Sequence, residues 1–189
     1  MATKKKAKTK KTATKQSATK RPAAKPAPRS KARPLAKAKP ALAPRRDGER
    51  RHWIVKSEPS TYSWTRMLTD GRATWDGIRS YEARNNLRAM RLDDLAFFYH
   101  SSDGKEIVGV VRVVGEARED ATAPGEDWSA VDLAPVRALN TPVTLATMKA
   151  TPALSSLELI AKSRLSVTHV SNEEFRQILA LAETSLDGE

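Results

Sequence analysis

Cysteine is absent from the 189 residues, which excludes disulfide frameworks, Cys-ligated zinc, iron-sulfur clusters and thiol nucleophiles, and fits a reducing compartment. The three histidines, His52, His100 and His169, show no metal-ligand spacing such as H-E-x-x-H. Neither a metal nor a cofactor is expected. Long apolar runs are also missing: no stretch approaches the roughly 18 to 20 residues of a membrane span, and the N-terminus lacks the apolar middle of a secretory signal. A soluble, intracellular protein with no membrane partner is expected. An organelle transit peptide would be equally poor in acids, but Arg-rich and amphipathic, whereas this N-terminus is mostly Lys with scattered Pro.

Aromatic and acidic residues are scarce in one part of the chain alone. All ten aromatics lie between Trp53 and Phe175. Met1 to Arg51 holds 19 Lys and Arg against 2 acidic residues, a net of +17, while His52 to Glu189 holds 15 against 20, a net of −5. Within residues 2–46 the large aliphatic side chains are Leu35 and Leu42 alone. Such a segment cannot bury enough apolar surface to offset its ordering entropy, so residues 1–51 are expected to be a disordered tail and residues 52–189 one folded domain. The tail's composition resembles linker histones and Lys/Ala/Pro-rich nucleoid proteins. A flexible polycation gains affinity for nucleic acid by releasing counterions, without regard to base sequence. Lys4, Lys5, Lys6, Lys8, Lys10, Lys11, Lys15, Lys20, Arg21 and Lys25 are the candidates for that contact. Lys4 to Lys11 would also pass as a nuclear import signal, so a localising role stays open.

From His52 the pattern changes. His52 to Lys56 reads as a strand, ended at Ser57-Glu58-Pro59 because proline lacks a donor and keeps its predecessor out of the helical region. Thr61 to Leu68 reads as a short helix closed by Asp70-Gly71, Ala73 to Trp75 as an extended piece, and Asp76-Gly77 as a turn. Ser80 is placed to cap a helix to about Met90, with Ala83, Leu87 and Met90 on its buried face. Asp94 to Ser101 reads as a central strand, Ser102-Asp103-Gly104 as a hairpin turn, and Glu106 to Glu116 as the return, where Gly109 marks a bend or a close backbone approach. After an acidic loop, Glu119 to Asp127, Trp128 to Ala138 reads as a strand and Thr141-Pro142 as the start of a helix to about Lys149. A weak segment through Leu165 precedes a short strand, Ser166 to Val170. Ser171 to Glu174 is a capping box for a last helix. Helices interrupting mostly antiparallel strands predict an α+β fold, a small mixed barrel with flanking helices.

Three stretches set polar groups among aromatics: Lys56-Ser57-Glu58-Pro59, Trp75 to Asn85 (W-D-G-I-R-S-Y-E-A-R-N) and Phe98 to Ser101 (F-Y-H-S). In this order and at these intervals they resemble the EVE domain family, over about His52 to Ala182. The resemblance implies the PUA-like superfold and a pocket protein that reads modified bases, chiefly modified cytosines in DNA, with no established catalytic activity. DNA is then preferred over RNA as partner, and a monomer is expected. Ser80 stands where Asn is frequent in the motif and Glu82 where Gln is frequent. A Glu82 that faces the pocket would change the preferred base edge; one that faces solvent would not.

The residues themselves suit such a pocket. A base turned out of a strand needs rings to stack on and a few donors and acceptors for its edge. Trp75, Tyr81, Phe98 and Tyr99 offer faces. Ser57, Ser80, Asn85, Ser101 and the backbone at Asp76-Gly77 offer hydrogen bonds, and Lys56, Arg79 and Arg84 offer cations for phosphate or carbonyl oxygens. Glu58 and His100 complete the candidate set. Strand alternation places Leu95, Phe97 and Tyr99 opposite Ala96, Phe98 and His100, so one of Phe98 and Tyr99 belongs to the core. Arg79 and Glu82, three apart, can form an ordinary surface pair. Trp75 can equally plug the barrel end, and Trp53, Trp64 and Trp128 read as packing. His100, Ser101, Lys56 and Asp76 leave an enzyme open as an alternative, though the missing cysteines exclude a zinc deaminase. An architectural protein whose tail binds DNA while the domain anchors is the other alternative. The leading expectation is a non-enzymatic reader of a modified base with a polycationic tail, in a bacterial nucleoid or, in a eukaryote, a nucleus.

Overall fold

Residues 42–186 are described in the computed structural model of the chain. The basic candidates from Lys4 to Lys25, and the disorder expected of their segment, lie outside the described residues. Strands β1 (His52–Ser57), β2 (Ala73–Trp75), β3 (Leu95–His100), β4 (Glu106–Glu119), β5 (Ser129–Thr144) and β6 (Val167–Val170) form one sheet in the order β2-β5-β4-β3-β1-β6. Neighbours are antiparallel except β1 and β3, which run parallel with Trp53 beside Ala96 and Lys56 beside Tyr99. Parallel neighbours need a crossover, and helices α1 (Trp64–Asp70) and α2 (Tyr81–Ala89), with β2 between them, provide it. The edge strands β2 and β6, of three and four residues, are not paired with each other, so the expected barrel is corrected to an open six-stranded sheet.

The sheet separates two cores because β3 is apolar on both faces. Ala96 and Phe98 join Trp53, Trp64, Met67 and Leu87 beneath α1 and α2. Leu95, Phe97 and Tyr99 join Met148, Phe175 and Ile178 beneath α3 (Leu145–Ala150), a 3-10 turn at Pro152–Leu154, and α5 (Asn172–Leu181). The capping box forms: the Ser171 hydroxyl accepts from the Glu174 amide at 3.2 Å, and the Glu174 carboxylate accepts from the Ser171 amide at 2.9 Å.

Three expected boundaries shift. The helix expected from Thr61 starts at Trp64, since the Thr61 and Tyr62 amides both donate to the Glu58 carbonyl at 2.9 Å in a turn, leaving Ser63 as the cap. The helix expected from Thr141 starts at Leu145. Thr141 and Pro142 instead lie in β5, where Val143 and Thr144 pair with Ile107 and Glu106. The register shift between Ile107 and Gly109 tolerates a proline without a donor. Strand β4 reaches Glu119 through further shifts, taking in the start of the expected acidic loop, and the weak segment holds α4 (Glu158–Ala161).

Upstream of β1, Asp94 is fully buried and accepts from the Arg45 guanidinium twice at 2.7 Å, the Arg51 amide at 2.9 Å, the Trp53 indole at 2.9 Å and the Arg91 amide at 3.1 Å. Burial pushes its pKa up, but these donors outweigh burial and hold it below the ordinary carboxylate value. Residues 45–51 are thereby tied to the folded unit, ahead of the boundary expected at 51/52.

Candidate nucleic-acid interface

Two turns build the site. The first follows β1 and runs through Glu58 to Tyr62. The second follows β2 at Asp76-Gly77-Ile78. Gly77 has φ +70°, in the left-handed region glycine tolerates, and its amide donates to Asp120 Oδ2 at 3.0 Å. Asp120 is fully buried and also accepts from Arg79 Nη1 at 2.7 Å and from the Thr122 amide and hydroxyl at 2.8 and 2.6 Å. Burial opposes its charge, yet these donors hold Asp120 well below the usual carboxylate range. A buried anion is thus the template for the W-D-G-I-R turn.

Between the turns lies a cleft of about 280 Å³, lined by Lys56, Ser57, Thr61, Tyr62, Ala73, Thr74, Trp75, Asp76 and Ile78. Trp75 is 8% exposed. It packs edge-on against Phe98 with centroids 5.6 Å apart, and Tyr62 stands edge-on to it at 6.4 Å. The Ser57 hydroxyl donates to the Tyr62 carbonyl at 2.8 Å. The Tyr62 hydroxyl donates to Asp70 at 2.9 Å, and desolvation together with that bond pushes its pKa up to about 12, so it stays neutral. Lys56 Nζ donates to the Ser163 carbonyl at 3.0 Å and meets no carboxylate among the described residues; burial pushes its pKa down to about 8. On the β2 side the Thr74 hydroxyl donates to Asp132 at 2.8 Å.

The cleft therefore brings together Lys56, Ser57, Trp75 and Asp76 of the expected set. Phe98 is fully buried and supports Trp75 from behind. Tyr99 is not a pocket face: strand alternation turns it into the second core. His100 Nε2 accepts from the Trp64 amide at 3.1 Å, which spends it on the start of α1, and burial lowers its pKa. No His100–Ser101–Asp76 relay is formed. The Ser101 amide donates to the Ser57 carbonyl at 2.8 Å and ties the ends of β1 and β3. Glu58 is exposed and accepts from the Ser102 hydroxyl at 3.0 Å.

Ser80 caps α2 and, with Glu82, lines a second cleft of about 390 Å³ that includes Lys162, Ser163 and Arg164. Glu82 pairs there with Lys162, while Arg79 goes to Asp120, so the expected Arg79–Glu82 pair does not form and Glu82 does not line the Trp75 cleft. Tyr81, Arg84 and Asn85 form a third group. Tyr81 stacks on Trp128 with centroids 5.1 Å apart, and the Arg84 guanidinium lies 4.9 Å from the Tyr81 ring, held by Asp127 and Asn85. Tyr81 is exposed, whereas Arg84 is buried beside Ala83 and Leu87 and reaches the Tyr81 ring from there. The sequence pattern does not single out Tyr62, Thr61, Thr74, Ile78 or Asp120 as site residues. Tyr62 hides in an unpatterned turn, and Asp120 looks like one more acid in a polar loop.

Among the described residues, no group of acids and histidines could hold a metal ion, and no helix is long and apolar enough to cross a membrane.

A family model described as the EVE domain matches residues 51–181. Mouse thymocyte nuclear protein 1 is 37% identical over 167 residues, covering 70% of this chain and 74% of its own length. Among solved structures, a protein of Agrobacterium tumefaciens matches with a TM-score of 0.70 at 39% identity, covering 71% of this chain and 94% of that one. The human THYN1 protein, in a crystal structure with 5-methylcytosine-containing DNA, matches with a TM-score of 0.67 at 32% identity, covering 72% of this chain and 99% of that one. The mixed fold, the ordered motifs and these matches agree, and the chain belongs to the EVE domain family.

Proposed function

We propose that this chain binds nucleic acid and reads a modified base, with modified cytosine in DNA as the first candidate, in the cleft around Trp75. The observation that carries this is one concave site combining an indole wall, the hydroxyls of Ser57, Thr61 and Thr74, and an ammonium with no carboxylate partner among the described residues. Its volume, about 280 Å³, lies just under the roughly 300–1,000 Å³ of drug-sized ligand sites, which suits a single base. The DNA complex of the human relative supports the same reading. The cleft is complete within one chain, so a monomer suffices. With His100 spent on the α1 amide, binding rather than turnover is the function the site serves. The basic tail then supplies attraction to DNA that does not depend on sequence, and in a eukaryote the protein acts in the nucleus, in a bacterium at the nucleoid.

Titration of the protein with short single strands and duplexes carrying cytosine, 5-methylcytosine or 5-hydroxymethylcytosine tests this. At least one modification should tighten binding over the unmodified control. If none does, the base-reading assignment is wrong.

A further inference from the structure

Beside the cleft, Asp132 is 5% exposed and accepts from Arg118 Nη1 and Nη2 at 2.7 and 2.8 Å, from Arg72 Nη2 at 2.7 Å and from the Thr74 hydroxyl at 2.8 Å. Arg118, despite burial, holds its carboxyl well below the usual range. Gly115 makes room for this arrangement: a Cβ there would lie 2.6 Å from Asp132 Oδ2. The seat is therefore built into the backbone of β4. Yet the arginine side chains it holds are 61% and 48% exposed. Two guanidiniums share the one carboxylate.

Arg72 spends a single bond on Asp132, leaving most of its five N–H donors without an acceptor among the described residues. Arg72, just before β2, and Thr74 within it both reach Asp132, and Thr74 lines the cleft. Lys56 lines the cleft, and Arg72 and Arg118 reach its Thr74 side through Asp132 and Thr74, in a stretch, His52 to Glu189, whose net charge is −5.

We infer that Arg72 and Arg118, braced by Asp132, clamp a backbone phosphate of the strand whose base enters the Trp75 cleft. This rests on the base-reading proposal for the position of the strand, and adds the group that holds it. Bracing matters because a guanidinium already fixed by Asp132 loses little rotamer freedom when a phosphate arrives, and its fork matches phosphate oxygens.

The test uses the full chain, so that the tail contributes equally to every variant. Affinity for a short single strand with one central 5-methylcytosine, and for its unmodified twin, is measured across a salt series for wild type, Arg72→Ala and Arg72→Lys. Arg72→Ala should weaken both strands severalfold by the same factor and reduce the log–log salt slope by about 0.7, the value for one phosphate contact on a single strand. Arg72→Lys should keep the slope and lose part of the affinity. The nucleoside 5-methyl-2′-deoxycytidine, which has no phosphate, should bind wild type and Arg72→Ala alike. An unchanged slope in Arg72→Ala, or an equal loss for the nucleoside, overturns the clamp. A wild type that does not distinguish the two strands overturns base reading instead, while the slope still decides the clamp.

Discussion

Trp75 is both a wall of the cleft and part of a core, since its ring packs edge-on against Phe98 at 5.6 Å and only 8% of it is exposed. Its replacement therefore has two consequences that must be measured apart. Trp75→Ala should remove the preference for a modified base and weaken binding about tenfold or more, while costing about 3–5 kcal/mol of stability through the cavity left behind. Trp75→Phe, which keeps a ring against Phe98, should restore most of the melting temperature and only part of the preference. Tyr81 gives the contrast. It is 66% exposed and lies in neither cleft, so Tyr81→Ala should leave the ratio of modified to unmodified affinity unchanged. A lost ratio in that variant would put Tyr81 back in the pocket. Lys56 adds a pH dependence whose sign is fixed. Its pKa is pushed down to about 8 by burial, so its charge is present below pH 8 and lost as pH rises through that value. Base affinity should fall between about pH 7 and 9, and Lys56→Met should abolish that step, as read by titration at each pH.

At the level of elements, β4 passes close beneath α1 at Gly109. A Cβ on Gly109 would lie 2.3 Å from Trp64 Cζ2, inside the indole ring. Gly109→Ala must displace Trp64, whose amide holds His100 and which tilts against Phe98 at 5.4 Å. Overpacking of this kind costs about 1–3 kcal/mol, so thermal unfolding should show a clear loss of melting temperature; an unchanged melting temperature would mean that α1 is free to move. The glycine could be singled out from sequence because it interrupts a run of valines, a place where a missing side chain needs a reason. The same held for Ser80 and Ser171, whose capping chemistry is local and therefore visible along the chain. What stayed hidden was long-range. Asp120 reaches back 43 residues to Gly77, and no spacing rule joins a loop acid to a turn amide at that distance. Tyr62 entered the cleft because Glu58 holds a turn where a helix was expected. Pro142 lies in a strand despite its helix-start signal because a bulge, set by partner strand register, overrides that signal. Motif residues were thus legible as a set, but their division between a cleft, a second cleft, an arginine-aromatic surface and the two cores depended on which face of each element the packing chose.

For the whole molecule, the proposed function puts attraction and choice on different parts of the chain. Residues 1–41 hold 15 Lys and Arg and no Asp or Glu, leaving 19 basic against 22 acidic residues for the rest, a net of −3. A body with that charge draws a polyanion weakly. The proposal assigns recruitment to the tail, by counterion release, and discrimination to the cleft. Deletion of residues 1–41 keeps Arg45 on Asp94 and so removes charge without removing that anchor. It should weaken modified and unmodified strands by the same large factor and flatten the salt dependence, with the preference ratio intact. Trp75→Phe in the full chain should do the reverse, lowering the ratio while leaving the salt slope unchanged. An architectural protein whose tail does all the binding would show no ratio to lose in either variant. The two slopes and two ratios, taken from one salt series on the two proteins, separate these cases, because a counterion term acts on every strand equally and a cleft acts only on the base that enters it.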